Sequence, residues 1–191
     1  MKKYIALLLL IFLVTFTFAQ HTDTCIIQTS LGNITIVLYP AKAPVTVANF
    51  LKYVDAHLYD STSFFRSVRL NNQPSDSIKI EVIQASGADS TKDFAPILLE
   101  STRQTGLHHR NGTVSMARSA PNSATSSFSI CINDQPSLDY GGKRNKDGQG
   151  FAAFGRVIKG MDVVRKIQNL YPEQGQYFSP PVLILRVRRK G

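Results

Sequence analysis

Short segments in which apolar and polar residues alternate recur along most of the chain, and they constrain its fold more than any other feature. A period of two residues is typical of β-strands with one buried face. Eight segments are predicted as strands, at residues 25–29, 34–39, 62–68, 79–84, 112–117, 127–132, 151–158 and 182–188. Many strands with turn signals and few helices favour a β-sandwich or a closed barrel. Closure would require the last strand to pair with an early one, and its run of valine, leucine and isoleucine suits that pairing.

Two segments, residues 44–58 and 161–170, have helical periodicity instead. Pro44 fits the first turn of a helix, where a missing backbone N–H costs nothing. Both segments are predicted to be amphipathic helices with an apolar stripe on the core. The inward-facing residues are then Val47, Phe50, Leu51, Val54 and Leu58 in the first helix and Val163, Val164 and Ile167 in the second.

The N-terminal sequence MKKYIALLLLIFLVTFTFAQ has the pattern of a secretory signal peptide. Two lysines precede an unbroken apolar run from Tyr4 to Phe18, and the small residue Ala19 follows. The run is short for a membrane-spanning helix, so cleavage after Ala19 is favoured over a retained anchor. The predicted organisation is a signal peptide at 1–19 and one domain at 20–191, exported to the periplasm or secreted.

The cysteine count and the distribution of charge bear on two questions, whether the domain contains a disulfide and whether it binds nucleic acid. A domain of this length buries a sizeable core without disulfide staples, so Cys25 and Cys131 are either one bridge or two buried free thiols. Cleavage would lower the formal net charge from +9 to +7 by removing two lysines. Part of the remaining basic charge lies in the loop GGKRNKDGQG and the tail RVRRKG, without the interleaved aromatic residues of a nucleic-acid-binding face. Solubility and a loose attraction to membrane surfaces are expected instead, with a monomeric chain.

Several motifs occur in an order that is similar to one known family. They are SLGNITIVLYPAKAPVTVANFLKYV near the start, STSFFRSV at 61–68, EVIQASG at 81–87, GTVSMARSAPNSATSSFSICI at 112–132, and then SLDYG and FAAFGRVIKGMDVVRKI. Through them the whole mature chain resembles the cyclophilins, the cyclosporin-binding class of peptidyl-prolyl cis–trans isomerases. The resemblance implies a mainly β fold: a closed eight-stranded antiparallel barrel capped by two α-helices, with a shallow site on one outer face.

Rotation of an X–Pro bond needs little chemical machinery. The barrier of about 20 kcal/mol is amide resonance and no bond is broken, so no metal or cofactor is expected. A catalyst must hold the proline ring in an apolar cup and stabilise the twisted amide, whose nitrogen becomes a hydrogen-bond acceptor. An arginine can donate to that nitrogen while staying charged. From strand alternation alone, Arg66 could be an outward-facing charge; the resemblance places it at the family's catalytic arginine.

The resemblance also implies a set of substrate-binding residues. Gln84 stands at the family's backbone-binding glutamine, Ala117 and Arg118 at the edge that pairs with the peptide, and Leu138 at one wall of the proline cup. The full set is Gln84, Val82, Ala117, Arg118, Ser127, Ser129, Leu138 and Phe151. The expected partners are proline-containing peptides or unfolded exported proteins.

The cup positions depart from the family pattern. Glu81 and Ser129 stand where the family has phenylalanine, Ser137 replaces a bulky aromatic residue, Ser127 replaces a glutamine, and Phe151 replaces a histidine or tyrosine. Each lost large side chain removes apolar contact worth about 1.5–3 kcal/mol. The pocket is therefore expected to be altered, and binding of cyclosporin is doubtful.

Two hypotheses for the function remain open from the sequence. The first is an isomerase that assists folding of exported proteins, and the second is a catalytically weak or inactive barrel that binds peptides or partner loops. An apolar cup still closed by Val82, Leu138 and Phe151 beside Arg66 would favour the first hypothesis. A pair between Glu81 and Arg66 would instead cap the site electrostatically.

Two further segments carry weaker signals. The polar loop at 70–77 lengthens the approach to the site, and it is expected either to cover the cup or to bring Pro74 near it. The adjacent His108 and His109 have no accompanying carboxylate cluster in the sequence, so a solvated turn is favoured over a metal site.

Overall fold

The computed structural model describes residues 22–87, 90–170 and 175–190. The predicted signal peptide at 1–19 lies outside these residues, so its prediction stays a prediction. Across the described ranges, no helix is both long and apolar enough to cross a membrane.

Eight β-strands and three α-helices make up the regular structure of the described chain. The strands are β1 (Asp23–Thr29), β2 (Gly32–Leu38), β3 (Thr62–Val68), β4 (Val82–Ser86), β5 (Thr113–Met116), β6 (Phe128–Cys131), β7 (Ala152–Lys159) and β8 (Tyr177–Arg189). The helices are α1 (Pro44–Asp55), α2 (Thr102–Thr105) and α3 (Met161–Asn169). The eight predicted strands and both predicted helices are thus present, although β4 begins at Val82, β8 begins at Tyr177 and α1 ends before Leu58; the short helix α2 was not predicted.

The strands close into one antiparallel barrel in the order β1-β2-β7-β5-β6-β4-β3-β8. The last strand makes the closure, because it pairs with β1 through Ile27 and Val187 and with β3 through Phe64 and Val182. A closed barrel has no free sheet edge. The predicted barrel is confirmed, and the sandwich alternative is excluded.

The barrel interior is filled from the alternating strand positions and from the two long helices. Phe50 of α1 packs against three core rings, with its centroid 5.2 Å from that of Tyr59, 5.5 Å from that of Phe128 and 5.3 Å from that of Phe154. These four side chains are fully buried. Helix α3 buries the predicted face of Val163, Val164 and Ile167. The interior is therefore closed and apolar, and a ligand site must lie on the outside of the barrel.

The alternation of β3 is interrupted where Phe65 and Arg66 follow each other. Phe64 lies opposite Ala85 of β4, whereas Arg66 lies opposite Gln84, so two steps along β3 match one step along β4. This is a β-bulge, which re-aims side chains at the position where it occurs. Phe64 is fully buried in the core, while Phe65 and Arg66 are both only half-buried. The bulge therefore places Arg66 on the outer face.

Both cysteines are buried free thiols, which excludes the bridge between Cys25 and Cys131. Burial is the main cause that raises the pKa of Cys25, to about 12, and burial also raises the pKa of Cys131. Because the thiolate is the reactive form, neither side chain is activated as a nucleophile.

Candidate active site

A pocket of about 230 Å³ lies on the outer face of the barrel beside β4, β5 and β6. Val82 and Gln84 of β4 line it, while their neighbours Ile83 and Ala85 point into the barrel core. Eight of the nine site residues predicted from the sequence line this pocket. They are Arg66, Val82, Gln84, Ala117, Arg118, Ser129, Leu138 and Phe151.

Ser127 is the ninth predicted residue, and the structure does not bring it to the pocket wall. Its backbone carbonyl accepts a hydrogen bond from the Ala117 N–H at 2.8 Å, which extends the pairing of β5 with β6. Ser127 therefore touches the site only through the backbone that positions Ala117.

One wall of the pocket is an apolar cluster that is separate from the barrel core. Its buried members are Val68, Ile80, Val82, Cys131 and Leu138, and Phe151 packs against them. Five of these residues line the pocket, and we call four of them, Ile80, Val82, Leu138 and Phe151, the apolar cup; the fifth is Cys131. Val82, Leu138 and Phe151 thus form an apolar cup that lines the same pocket as Arg66. This is the arrangement that favours the isomerase hypothesis over a barrel that only binds peptides.

Ile80 lines the cup next to Glu81, the position at which the resemblance implies an aromatic residue. Glu81 lies away from Arg66: its carboxylate accepts hydrogen bonds from Asn133, at 2.8 Å, and from Gln168, at 3.3 Å. The suggestion that Glu81 caps the site through Arg66 is therefore wrong. Ile80, two residues before Val82, shares the outward face with it, and this period of two was the signal that could have identified Ile80.

The Arg66 guanidinium is held by two glutamine side chains. Nη1 donates to Gln84 Oε1 at 3.2 Å, while Nε and Nη2 both donate to Gln176 Oε1, at 2.9 and 2.5 Å. Gln84 lies directly opposite Arg66 in the barrel register. Gln176 precedes β8 and was missed by the sequence reasoning, because nothing in the sequence links positions 110 residues apart.

Gln176 is itself fixed to the loop that follows β3. Its Nε2 donates to the Asn72 carbonyl at 3.0 Å, and its own carbonyl accepts from the Ser67 N–H at 2.8 Å. The Asn72 side chain completes the connection by donating to the carbonyls of Ser67 and Gly175. The segment before β8 and the loop after β3 thus form one hydrogen-bonded support for Arg66.

The surroundings of Arg66 are partly desolvated. Burial is the main cause that lowers the pKa of Arg66 below its usual value; Tyr177 acts in the other direction, and the positive charge of Arg144 lowers the pKa further. The ring of Tyr177 lies 5.9 Å from the guanidinium carbon. An arginine remains charged throughout the physiological range, so the site offers a fixed cation in a partly water-excluded place.

Arg118 also lines the pocket. Its Nη1 and Nη2 each donate to the Asp147 carboxylate at 2.8 Å, and its Nε donates to the Gly150 carbonyl at 2.8 Å. The hydrogen bonds from Arg118 are the main cause that lowers the pKa of Asp147, to about 2. The guanidinium lies 5.3 Å from the Phe151 ring. Its charge is therefore matched by Asp147, and its guanidinium also supports the cup wall at Phe151.

The loop at 70–77 does not bring Pro74 to the pocket lining. Instead the buried Gln73 organises the loop: its Nε2 donates to the carbonyls of Arg69 and Ile80, both at 2.8 Å, and its Oε1 accepts from the Ile80 N–H at 3.2 Å. The loop therefore holds Ile80 in the wall of the cup, and Pro74 does not cover the cup.

The prediction of a solvated turn holds for His108, which is exposed, but is wrong for His109. His109 is buried, with Nδ1 2.6 Å from Asp139 Oδ1 and Nε2 2.8 Å from the Ser115 hydroxyl, and His108 Nδ1 lies 2.9 Å from Asp139 Oδ2. Burial alone would raise the pKa of Asp139, but the hydrogen bonds from His109 and His108 outweigh it and lower the pKa to about 2. Ser115 is 3% exposed, lies within β5 and lines the pocket. The hydrogen bonds from Ser115 through His109 to Asp139 therefore connect the pocket lining to the neighbouring loop.

The chemistry available at the site follows from these side chains. Within the described ranges, no group of three or more histidine, cysteine, aspartate or glutamate side chains is arranged to hold a metal ion. An apolar cup beside a cation held in place by hydrogen bonds suits a proline ring with its preceding amide. Fold and site together define a closed β-barrel with a pocket on its outer face whose side chains suit a proline-containing peptide.

Comparison with known proteins gives the family. The family model described as cyclophilin type peptidyl-prolyl cis-trans isomerase/CLD matches residues 24–189. A peptidyl-prolyl cis-trans isomerase of Acinetobacter baylyi is 37% identical over 173 residues, which cover 86% of this chain and 84% of that protein. Peptidyl-prolyl cis-trans isomerase B of Escherichia coli is 36% identical over 150 residues, covering 75% and 82%. The chain therefore belongs to the cyclophilin-type peptidyl-prolyl cis–trans isomerases and is an enzyme of that class.

A solved structure agrees with the barrel. The crystal structure of a cyclophilin type peptidyl-prolyl cis-trans isomerase from Cryptosporidium parvum has a TM-score of 0.71 at 19% sequence identity, covering 90% of this chain and 99% of that one. At this identity the likeness concerns the fold, and it confirms the architecture that the sequence resemblance implied.

Proposed function

We propose that this protein isomerises X–Pro bonds in exported proteins and so assists their folding. The observation that carries the proposal is the position of Arg66, whose guanidinium is fixed by Gln84 and Gln176 beside the apolar cup. An outward-facing strand charge would need no such support. Arg66 is therefore assigned the catalytic role.

In this mechanism the cup receives the proline ring, and Arg66 stabilises the twisted amide. The nitrogen of a twisted amide regains its lone pair and accepts a hydrogen bond, which the planar ground state cannot do. A guanidinium has five N–H donors, so the described contacts of Arg66 leave donors for the substrate. No bond breaks and no proton moves, and the rate gain comes from binding the twisted state more tightly than the planar state.

The flanking peptide backbone is assigned to Gln84, Ala117, Arg118 and Ser129. The Ala117 N–H already donates to the Ser127 carbonyl, so pairing of a peptide with Ala117 must use the Ala117 carbonyl oxygen. Ser129 lines the pocket in place of a family phenylalanine and offers a hydroxyl where the family has apolar surface. The substrate is an extended, proline-containing segment of an unfolded chain.

Export is proposed from the N-terminal sequence. The basic start, the apolar run and Ala19 support a cleaved signal peptide, with the mature enzyme in the periplasm or secreted and acting as a monomer. The net charge of +7 after cleavage supports a loose attraction to anionic membrane surfaces. Mass spectrometry of the exported protein tests cleavage, since the first residue should be Gln20.

The deciding experiment is the cis–trans exchange rate of a short X–Pro peptide, measured by NMR with the purified protein. We expect accelerated exchange with the native chain, a loss of about a hundredfold or more with Arg66→Ala, and little change with Arg188→Ala, which removes an exposed arginine outside the pocket. Exchange that is not accelerated by the folded native protein would leave the second candidate, a barrel that binds peptides without catalysis, which Ser129 at the pocket wall favours.

A further inference from the structure

Among the residues that the structure describes, the pocket is lined by three arginines and by no acidic residue. The arginines are Arg66, Arg118 and Arg144, and the other lining residues are apolar, hydroxyl, thiol or amide side chains. Neither Arg144 nor the neighbouring Asn145 was identified as a site residue from the sequence, because both belong to a glycine-rich polar loop that is typical of a solvated turn. An enzyme site whose lining has an excess of positive charge should discriminate among peptides by their charge.

The three positive charges are compensated to different degrees. Arg118 makes two hydrogen bonds to Asp147, so its charge is matched within the fold. Arg66 contacts glutamine oxygens, and no carboxylate of the described chain lies within ion-pair distance of it. The excess positive charge of the pocket therefore comes from Arg66 and Arg144.

Arg144 is anchored at the pocket by its backbone and by one of its side-chain nitrogens. Its N–H donates to the Ser137 carbonyl at 3.1 Å, and Nη1 donates to the Ile78 carbonyl at 2.7 Å and to Gln73 Oε1 at 3.1 Å. Nη1 also lies 3.1 Å from the Asp76 carboxylate. Among the described residues no partner takes the hydrogens of Nε or Nη2, so donors remain on an otherwise fixed side chain.

The ion pair with Asp76 does not neutralise the pocket. The Asp76 side chain is 42% exposed and does not line the pocket, whereas the Arg144 side chain is 14% exposed and does. Solvent screens an exposed carboxylate more strongly than a buried guanidinium. Both members of the pair also act on Arg66: after burial, the positive charge of Arg144 lowers the pKa of Arg66, and the smaller effect of Asp76 raises it, so the compensation by Asp76 is only partial.

Arg144 lies directly beside the apolar cup. The Oε1 atom of Gln73 accepts hydrogen bonds from both the Ile80 N–H, at 3.2 Å, and Arg144 Nη1, at 3.1 Å. A proline ring packed on Ile80 therefore has its neighbouring residues within reach of the Arg144 guanidinium. A carboxylate there would gain a charge-assisted hydrogen bond and would relieve the repulsion between Arg66 and Arg144.

We propose that Arg144 makes this isomerase prefer X–Pro sites with an aspartate or glutamate next to the proline. The inference rests on the proposed function and adds the substrate class to it. Basic neighbours are disfavoured by the same charge. Arg144 acts as a specificity-determining residue, and the rotation itself is assigned to Arg66.

The test compares peptides that differ only in one residue beside proline. Glutamate, glutamine and lysine are placed in turn immediately before or immediately after the proline, and kcat/KM is measured by NMR exchange with the full protein. At one of the two positions we expect glutamate to exceed glutamine by about threefold to tenfold, the range of a partly screened ion pair. Arg144→Gln should reduce the ratio to about one, and Arg144→Lys should restore part of it.

Arg188→Gln is the matched control, because it removes the same charge from an exposed site of β8 outside the pocket. It should leave the glutamate-to-glutamine ratio unchanged. If Arg144→Gln fails to fold, the ratio measured with the native protein should still fall towards one as salt is raised from low to about 1 M.

The outcomes separate this inference from the function on which it rests. No turnover of the glutamine peptides by the native protein would contradict the isomerase function itself. Turnover of glutamine and glutamate peptides at equal rates would leave that function intact and overturn the charge preference. A preference for glutamate that persists unchanged in a folded Arg144→Gln variant would overturn the role of Arg144.

Discussion

Gln176 Oε1 accepts hydrogen bonds from two nitrogens of Arg66, Nε at 2.9 Å and Nη2 at 2.5 Å. The two residues are 110 positions apart in the chain, and the contact fixes the plane of the guanidinium beside the cup. Gln176 touches no substrate in the proposed mechanism. Gln176 is therefore a positioning residue, and it should affect the rate of isomerisation only by orienting the Arg66 guanidinium.

Replacing Gln176 by alanine should therefore lower catalysis more than binding. We expect kcat to fall about tenfold, because a small displacement of a catalytic group is enough for such a loss, while KM for a short X–Pro peptide changes little. NMR exchange at several peptide concentrations separates the two constants. A rise in KM with unchanged kcat would contradict the positioning role, and thermal unfolding of the variant controls for a general loss of structure.

Shortening a side chain of the apolar cup should lower kcat/KM. Leu138→Ala removes buried apolar contact worth about 1–2 kcal/mol, which corresponds to about a tenfold loss in kcat/KM. Leu185→Ala is the matched control, because Leu185 is exposed on β8 and lies outside the pocket. Equal activity of the two folded variants would show that Leu138 does not receive the proline ring.

Asp139 should make stability depend on pH in acid. Its folded-state pKa, about 2, lies below the value of about 3.9 for an unfolded aspartate. A lowered pKa contributes stability that is fully present above about pH 4 and is lost as the pH falls towards about 2. Urea unfolding should show Asp139→Asn less stable than the native protein at pH 6, with the difference shrinking over that window.

The control for this pH effect is Asp162→Asn, on an exposed position of α3 that has no ion pair within the described chain. This carboxylate lies in the first turn of α3, so the variant should differ from the native protein by no more than the weak contribution of a charge near a helix N-terminus, about 0.3–1 kcal/mol. A stability difference for Asp139→Asn that stays constant from pH 6 to pH 2 would mean that the carboxylate charge of Asp139 is not what binds the two histidines.

The two thiols should be unreactive in the folded protein. Burial raises the pKa of both Cys25 and Cys131, so the thiolate fraction at pH 8 is small and access is poor. A disulfide reagent should modify both residues quickly in denaturant and neither at a comparable rate in buffer. A single fast-reacting thiol in the native state, traced with Cys25→Ser and Cys131→Ser, would contradict the burial of that residue.

The strand pattern of this chain could be read from the sequence because it depends on local periodicity. Residues 62–68 were predicted as a strand and β3 spans Thr62–Val68; the helix predicted at 161–170 is α3, Met161–Asn169. The resemblance to the cyclophilins supplied barrel closure and most pocket positions. The periodicity of the strands and helices and the motifs of the family both lie within short stretches of sequence. They can therefore be recognised without a structure.

The local pattern failed where the backbone departs from regular alternation or where distant segments meet. The bulge at Phe65 and Arg66 could not be read from STSFFRSV, since the extra residue is defined only by pairing with Gln84 of another strand. His109 was taken for part of a solvated turn because its partner Asp139 lies 30 residues away.

The sequence by itself determined the secondary structure, the family and the residue types at the cup, because these follow from patterns that neighbouring residues share. Only the tertiary structure decided that Glu81 turns away from Arg66, that Gln176 holds Arg66, and that Arg144 stands at the pocket wall. Each of these depends on where a loop returns after leaving the barrel. That path is set by hydrogen bonds such as those of Gln73, which connect segments that no sequence period relates.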